Sequence, residues 1–144
     1  MKVFLDASVI IASLLSPTGG SSRIFQYMQT DTIVGITSQT ALDEILNAEK
    51  YKKLKKSRKE IKDFIAQSGL IVRERISASE LSPYENLVNR EDAHLIAGAS
   101  LTRSEYLVTL DKKHLLKKDI RERFLPLKIV SPREVLEEII KLYQ

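Results

Sequence analysis

At 144 residues the chain has the length of one domain, and with 43% apolar residues it can bury a substantial core. It has no cysteine, which excludes a disulfide framework and thiolate chemistry, and no apolar run approaches the ~20 residues that span a bilayer. The net charge of +4 is unevenly placed: Lys50 to Lys62 holds eight basic residues against one acid, which leaves an acidic remainder.

The first stretch, KVFLDASVIIASLL, reads as a short buried strand, Val3 to Leu5, ending on Asp6. Ser8 is placed to cap an apolar helix from Val9. Met1-Lys2 before an apolar run has the look of a signal peptide, but Asp6 interrupts the run. The expectation is therefore a cytoplasmic protein without a membrane segment. Ser16 to Ser22, SPTGGSS, is a loop by composition. Arg23 to Gln29 is a short helix, and Thr32 to Ile36 a second strand.

Ser38 opens a helix over SQTALDEILNAEKY, with Leu42, Ile45 and Leu46 as its apolar stripe. Of its adjacent acids, Glu44 shares a face with the small residues Ala41 and Ala48, so it is the inward one. Asp43 faces solvent. Lys52 to Gln67 reads as a basic amphipathic helix with Leu54, Ile61, Phe64 and Ile65 inside. Gly69 stops it, and Leu70 to Arg73 is the next strand. Ile76 to Tyr84 reads as irregular.

Asn89 is placed to cap a helix that carries Asp92 in its first turn. Ala93, Ile96, Ala97 and Ser100 form its small-residue face. Glu91 and Asp92 also suit a helix dipole, with no further role implied. Tyr106 to Leu110 is a buried strand ending on Asp111, the same device of strand and then carboxylate. Lys112 to Leu116 is a short turn, Asp119 to Phe124 a helix and Leu127 to Val130 the last strand. Ser131-Pro132 starts a closing helix.

This alternation predicts one α/β domain over residues 1–144, a three-layer α/β/α sandwich with a mainly parallel central sheet and no repeat or linker. In such a sheet the strand C-termini and following helix N-termini share one edge. Asp6, Asp92 and Asp111 therefore converge by topology, and Glu44 lies further along its helix. Clustered carboxylates need a counter-charge, and all-oxygen ligation favours Mg²⁺ or Mn²⁺ over zinc. Such an ion suits phosphodiester hydrolysis. Thr109 alternates to the side of Asp111 and can position a carboxylate or phosphate, as can Ser8.

FLDASVII with Asp6, TSQTALDEIL with Glu44, and EDAHLIAGASLTRSEYLVTLD with Asp92 and Asp111 together resemble the PIN-domain family. Within it the chain is similar to the small prokaryotic proteins that include the VapC-type toxins. The resemblance spans nearly the whole chain. It implies a metal-dependent endoribonuclease, with Asp6, Glu44, Asp92 and Asp111 binding Mg²⁺ or Mn²⁺ and Thr109 supporting them. It also implies an antitoxin partner and a homodimer, for which Ile10, Ile11 and Phe25 are candidate contact residues. Where the family often has glycine before the last acid, this chain has Leu110. Where an asparagine often follows the third acid, it has Ala93 and His94. Ser8 also stands where asparagine is frequent.

Several readings stay open on the sequence alone. Lys52, Lys53, Lys55 and Lys56 form either an RNA-binding face or a solvated helix surface. Lys112 either touches the substrate backbone or begins an exposed turn. His94 and His114 read as surface or supporting groups rather than ligands. A non-catalytic RNA- or protein-binding module on the same fold is the alternative to the enzyme. A receiver-like phosphate acceptor ranks last, because Leu5 and Ala7, not a second acid, flank Asp6.

Overall fold

The computed structural model describes residues 1–47 and 54–143. Five parallel strands form one sheet: β1 (Lys2–Leu5), β2 (Val34–Ser38), β3 (Ile71–Arg73), β4 (Tyr106–Val108) and β5 (Lys128–Val130). Their spatial order is β3-β2-β1-β4-β5. The helices are α1 (Ala7–Leu15), α2 (Gly20–Gln29), α3 (Gln39–Leu46), α4 (Arg58–Ser68), α5 (Ala78–Leu81), α6 (Ala93–Leu101), α7 (Lys118–Arg123) and α8 (Pro132–Tyr143). The expected three-layer α/β/α arrangement is the one observed.

Strand alternation divides the core. Val3, Leu5, Tyr106 and Val108 face one side, where Ile10, Ile24, Phe25, Ile61, Val135 and Ile139 meet them. Phe4, Leu107 and Ile129 face the other, against Leu95, Ile96, Ala99 and Leu115. Both faces are covered, so β1 and β4 are apolar throughout, as buried parallel strands require. Helix α6 is buried from Ala93 to Ala99. Its Gly98 lies so close to Phe4 that a Cβ there would fall 2.5 Å from the Phe4 ring.

Several boundaries differ from those read in the sequence. Helix α1 begins at Ala7 with Asp6 in the N-cap position. Ser8 is inside it and caps nothing. Helix α2 starts at Gly20, because Ser22 Oγ donates to the Ser16 carbonyl (2.6 Å) and ties the first turn down. Strand β2 runs on to Ser38, whose Oγ then accepts from Ala41 N–H (3.1 Å). Helix α3 ends at Leu46. The basic helix begins at Arg58, not Lys52, because Ser57 and Glu60 form a reciprocal capping box. Lys55, with φ 51°, precedes it, while Lys52 and Lys53 lie outside the described residues. A second capping box, Ser77 with Glu80, builds α5 in the stretch expected to be irregular. Asn89 caps no helix through its side chain; Asp92 ends a 3-10 turn from Arg90, and α6 begins after it. Strand β4 stops at Val108, ahead of Leu110. Ile10 and Phe25 belong to the core and Ile11 is half-buried, so the first two cannot form a dimer surface.

Replacing Gly98 with alanine places a methyl group inside the Phe4 ring contact. Such overpacking costs about 2 kcal/mol, read as a lower urea midpoint. Gly98→Ala combined with Phe4→Leu is expected to recover part of that loss, because the aromatic edge is gone. Equal destabilisation by the single and double variants would show that the contact is not the cause.

Candidate metal centre

In the order β3-β2-β1-β4-β5 the chain leaves β1 toward β2 on one side and returns to β4 on the other. The crevice between the C-terminal ends of β1 and β4 is thus a topological switch point, where open α/β sheets bind ligands. Asp6 follows β1, and Thr109 to Asp111 follow β4. The two ends are stitched by Asp6 N–H donating to the Val108 carbonyl (3.0 Å).

Asp6 is only 8% exposed. Its Oδ2 accepts two hydroxyl bonds, from Thr109 Oγ1 (2.7 Å) and Ser8 Oγ (2.9 Å). Each hydroxyl is itself fixed by a backbone amide. Asp111 N–H donates to Thr109 Oγ1 (3.1 Å), and Leu110 N–H to Ser8 Oγ (3.2 Å). The loop after β4 is therefore built around the carboxylate after β1. Burial pushes the Asp6 pKa up, the two hydroxyl bonds oppose that, and the Glu44 charge adds to the rise.

Asp92 sits at the start of α6, and Asp111 in the turn after β4. Burial, then the charges of Asp111 and Asp6, push the Asp92 carboxyl up to about 6. The turn closes through Leu116 N–H donating to the Asp111 carbonyl (3.0 Å). That closure brings His114 back over Asp111. Its N–H donates to Asp111 Oδ1 (3.1 Å), and its Nδ1 lies 3.4 Å from Oδ2. One donor atom each from Asp92, Asp111 and His114 lie within 4.8 Å of one another.

Glu44 is in α3, and His94 Nε2–H donates to its Oε1 (2.7 Å). His94 is buried, and its Nδ1 is a buried polar atom without a hydrogen-bond partner among the described residues. Asp43 faces outward, where the Arg75 guanidinium holds its carboxyl below the usual range (2.7 Å). Lys55, Lys56 and Lys112 are exposed. The sequence reading missed the two histidine contacts. A His three residues after Asp111 and another two after Asp92 were the available signals.

The donor chemistry fits a hard divalent cation: burial, with the charges of Asp111 and Asp6 added to it, raises the Asp92 carboxyl, and a bound cation would relieve the repulsive part.

A family model described as PIN domain matches residues 2–113. Among solved structures, the chain is similar to VapBC2 from Rickettsia felis, crystallised bound to a DNA fragment from its promoter. The TM-score is 0.65 at 15% identity, over 91% of this chain and 98% of that one. At that identity the likeness concerns the fold. No curated protein matches the chain. No helix among the described residues is long and apolar enough to cross a membrane.

The raised Asp92 carboxyl destabilises the folded state wherever it is ionised. With the folded pKa near 6 and the ordinary value at 3.8, the cost is full above about pH 6 and disappears as pH falls through the folded value toward 4. Glu134, held down at about 2 by Arg121, loses its contribution as pH falls from its ordinary value of 4.5 toward 2, which overlaps only the acid end of that window. In chelator-treated protein at pH 7.5, Asp92→Asn is expected to raise Tm by roughly 3 °C, from about 1 kcal/mol after discounting for solvent screening. The gain should vanish near pH 4, and a gain independent of pH would point away from charge repulsion.

Proposed function

This chain belongs to the PIN-domain family, and on that footing we propose that it is a metal-dependent endoribonuclease acting in the cytoplasm. The observation that carries the reading is the carboxylate set at the switch point: Asp6 and Asp111 at adjoining strand ends, with Asp92 close enough for its pKa to respond to both. Asp6, Asp92 and Asp111 would hold Mg²⁺ or Mn²⁺, with Glu44 as the fourth acid of the pattern. When bound, such an ion neutralises phosphate charge and lowers the pKa of a coordinated water, which suits hydrolysis of a phosphodiester to a 5′-phosphate and a 3′-hydroxyl.

The chain's own residues supply the positioning. Thr109 and Ser8 both grip Oδ2 of Asp6, so Oδ1 is the oxygen that neither hydroxyl uses. The same hydroxyls accept the Asp111 and Leu110 amides, which fixes the β4 loop relative to the β1 end. Lys112, exposed next to Asp111, is placed to attract the RNA backbone. Lys55 and Lys56 extend a basic surface ahead of α4 and support sequence-independent affinity; Lys52 and Lys53, their neighbours in the sequence, are proposed RNA contacts on the same ground of charge.

We read the chain as the toxin of a toxin–antitoxin pair. Support comes from the family and from the fold likeness to a VapBC complex. A homodimer is the companion proposal. Exposed apolar residues at the end of α8, Ile140, Leu142 and Tyr143, are better placed for it than Ile10 or Phe25.

Asp6→Asn and Asp92→Asn are each expected to lower Mn²⁺-dependent cleavage of single-stranded RNA by about 10³-fold, with folding checked by circular dichroism. Cleavage unchanged in the double variant would overturn the enzyme reading in favour of the binding module. Reversing Lys55 and Lys56 to glutamate should weaken RNA binding and flatten its salt dependence. The expected change is a slope of about 0.7 per lost phosphate contact.

A further inference from the structure

We propose that His114 is a ligand of the divalent cation alongside Asp92 and Asp111, and that this nitrogen donor makes the centre prefer Mn²⁺ to Mg²⁺. The inference rests on the nuclease reading above but concerns which side chains complete the ion's shell.

Three observations carry it. First, Glu44, the fourth acid of the family pattern, accepts from the buried His94 ring on Oε1 (2.7 Å), so it has only Oε2 to offer an ion and the shell has room for a further donor. Second, His114 is held at Asp92 and Asp111 by the backbone. The turn closes on the Asp111 carbonyl. Leu115, 1% exposed, anchors it in the core. The His114 amide also fixes Asp111 Oδ1.

Third, His114 Nδ1 is not committed to a tight ion pair. It stands 3.4 Å from Asp111 Oδ2, beyond the about 2.7–2.9 Å of a charge-assisted hydrogen bond, and a shift of a few tenths of an ångström would bring the two to the about 3 Å that separates cis donors around an octahedral ion with arms near 2.1 Å. Asp92 and His114 also share the lining of a cavity of about 160 Å³ with Asn89, Leu115, Lys117 and Ile120.

The bland reading makes His114 a solvated ring that happens to neighbour Asp111, and its side chain is 44% exposed. The ring nevertheless offers a donor atom within 4.8 Å of those of Asp92 and Asp111, on a backbone that the Asp111 carboxylate itself holds in place. The chemical consequence follows from donor softness. Mg²⁺ favours oxygen and keeps its waters. Imidazole binding strengthens along the transition series from Mn²⁺ onward. One imidazole added to the carboxylates therefore favours Mn²⁺.

The test uses the full chain with Mn²⁺ and Mg²⁺ alone as probes, by calorimetry at pH 7.5, together with pulsed electron paramagnetic resonance of bound Mn²⁺. Wild type is expected to bind Mn²⁺ about tenfold or more tightly than Mg²⁺ and to show ¹⁴N coupling. His114→Ala, an exposed position that should fold, is expected to lose the coupling and about tenfold or more of Mn²⁺ affinity, with Mg²⁺ affinity changed less than about threefold. His94→Gln is the control and should keep the coupling. Wild-type Mn²⁺ binding without ¹⁴N coupling, or coupling that persists in His114→Ala, overturns the assignment and leaves the nuclease reading standing. Wild type that binds neither ion overturns both.

Discussion

The rest of this site depends on one buried carboxylate. Asp6 sits at the end of the central strand, almost out of water, and its charge is tolerable only because two hydroxyls face it. Those hydroxyls do more than satisfy Oδ2. Each also accepts a backbone amide from the loop after β4, so the two hydroxyls that solvate Asp6 also fix where Asp111 stands. A local problem of desolvation is thereby solved by tying two strand ends together at the point where the sheet's winding reverses.

Around that anchor the acids are placed in an order of decreasing constraint. Asp6 is held on both sides by side chains, and Asp111 by the amide of its own turn. Asp92 has no comparable donor, and its raised pKa carries its burial first and then the repulsion of the other two. Glu44 has a buried histidine partner, and its charge still reaches Asp6. Burial and repulsion together load this cluster, a cost that the fold bears and that the proposed cation would relieve in part.

Much of this is legible in the sequence for a simple reason. A short apolar run ending in an acid is a local pattern, so Asp6 and Asp111 can be found without knowing the fold, and parallel topology then brings them together. Glu44 is separable from Asp43 because their neighbours on the helix differ in size. The failures have a different origin. Hydrophobic periodicity alone carried the basic helix back through the lysines to Lys52, although Ser57 three residues before Glu60 marks the real start. The same signature at Ser77 and Glu80 marks α5. The histidine contacts depend on a closed turn and on the approach of two separate helices. A one-dimensional pattern does not carry that information.

The fit of Gly98 against Phe4 has a consequence beyond packing. Phe4 lies two residues before Asp6 on β1, and Gly98 is on the helix whose first turn follows Asp92 directly. The depth to which α6 sinks onto the sheet therefore sets the gap between two of the acids, at a distance from either. The hydrophobic layer acts as a gauge block for the charged one. In a lineage of such chains, the residues at these two interior positions would have to drift together, each change of ring size answered across the layer, for the spacing of the carboxylates to be inherited unchanged.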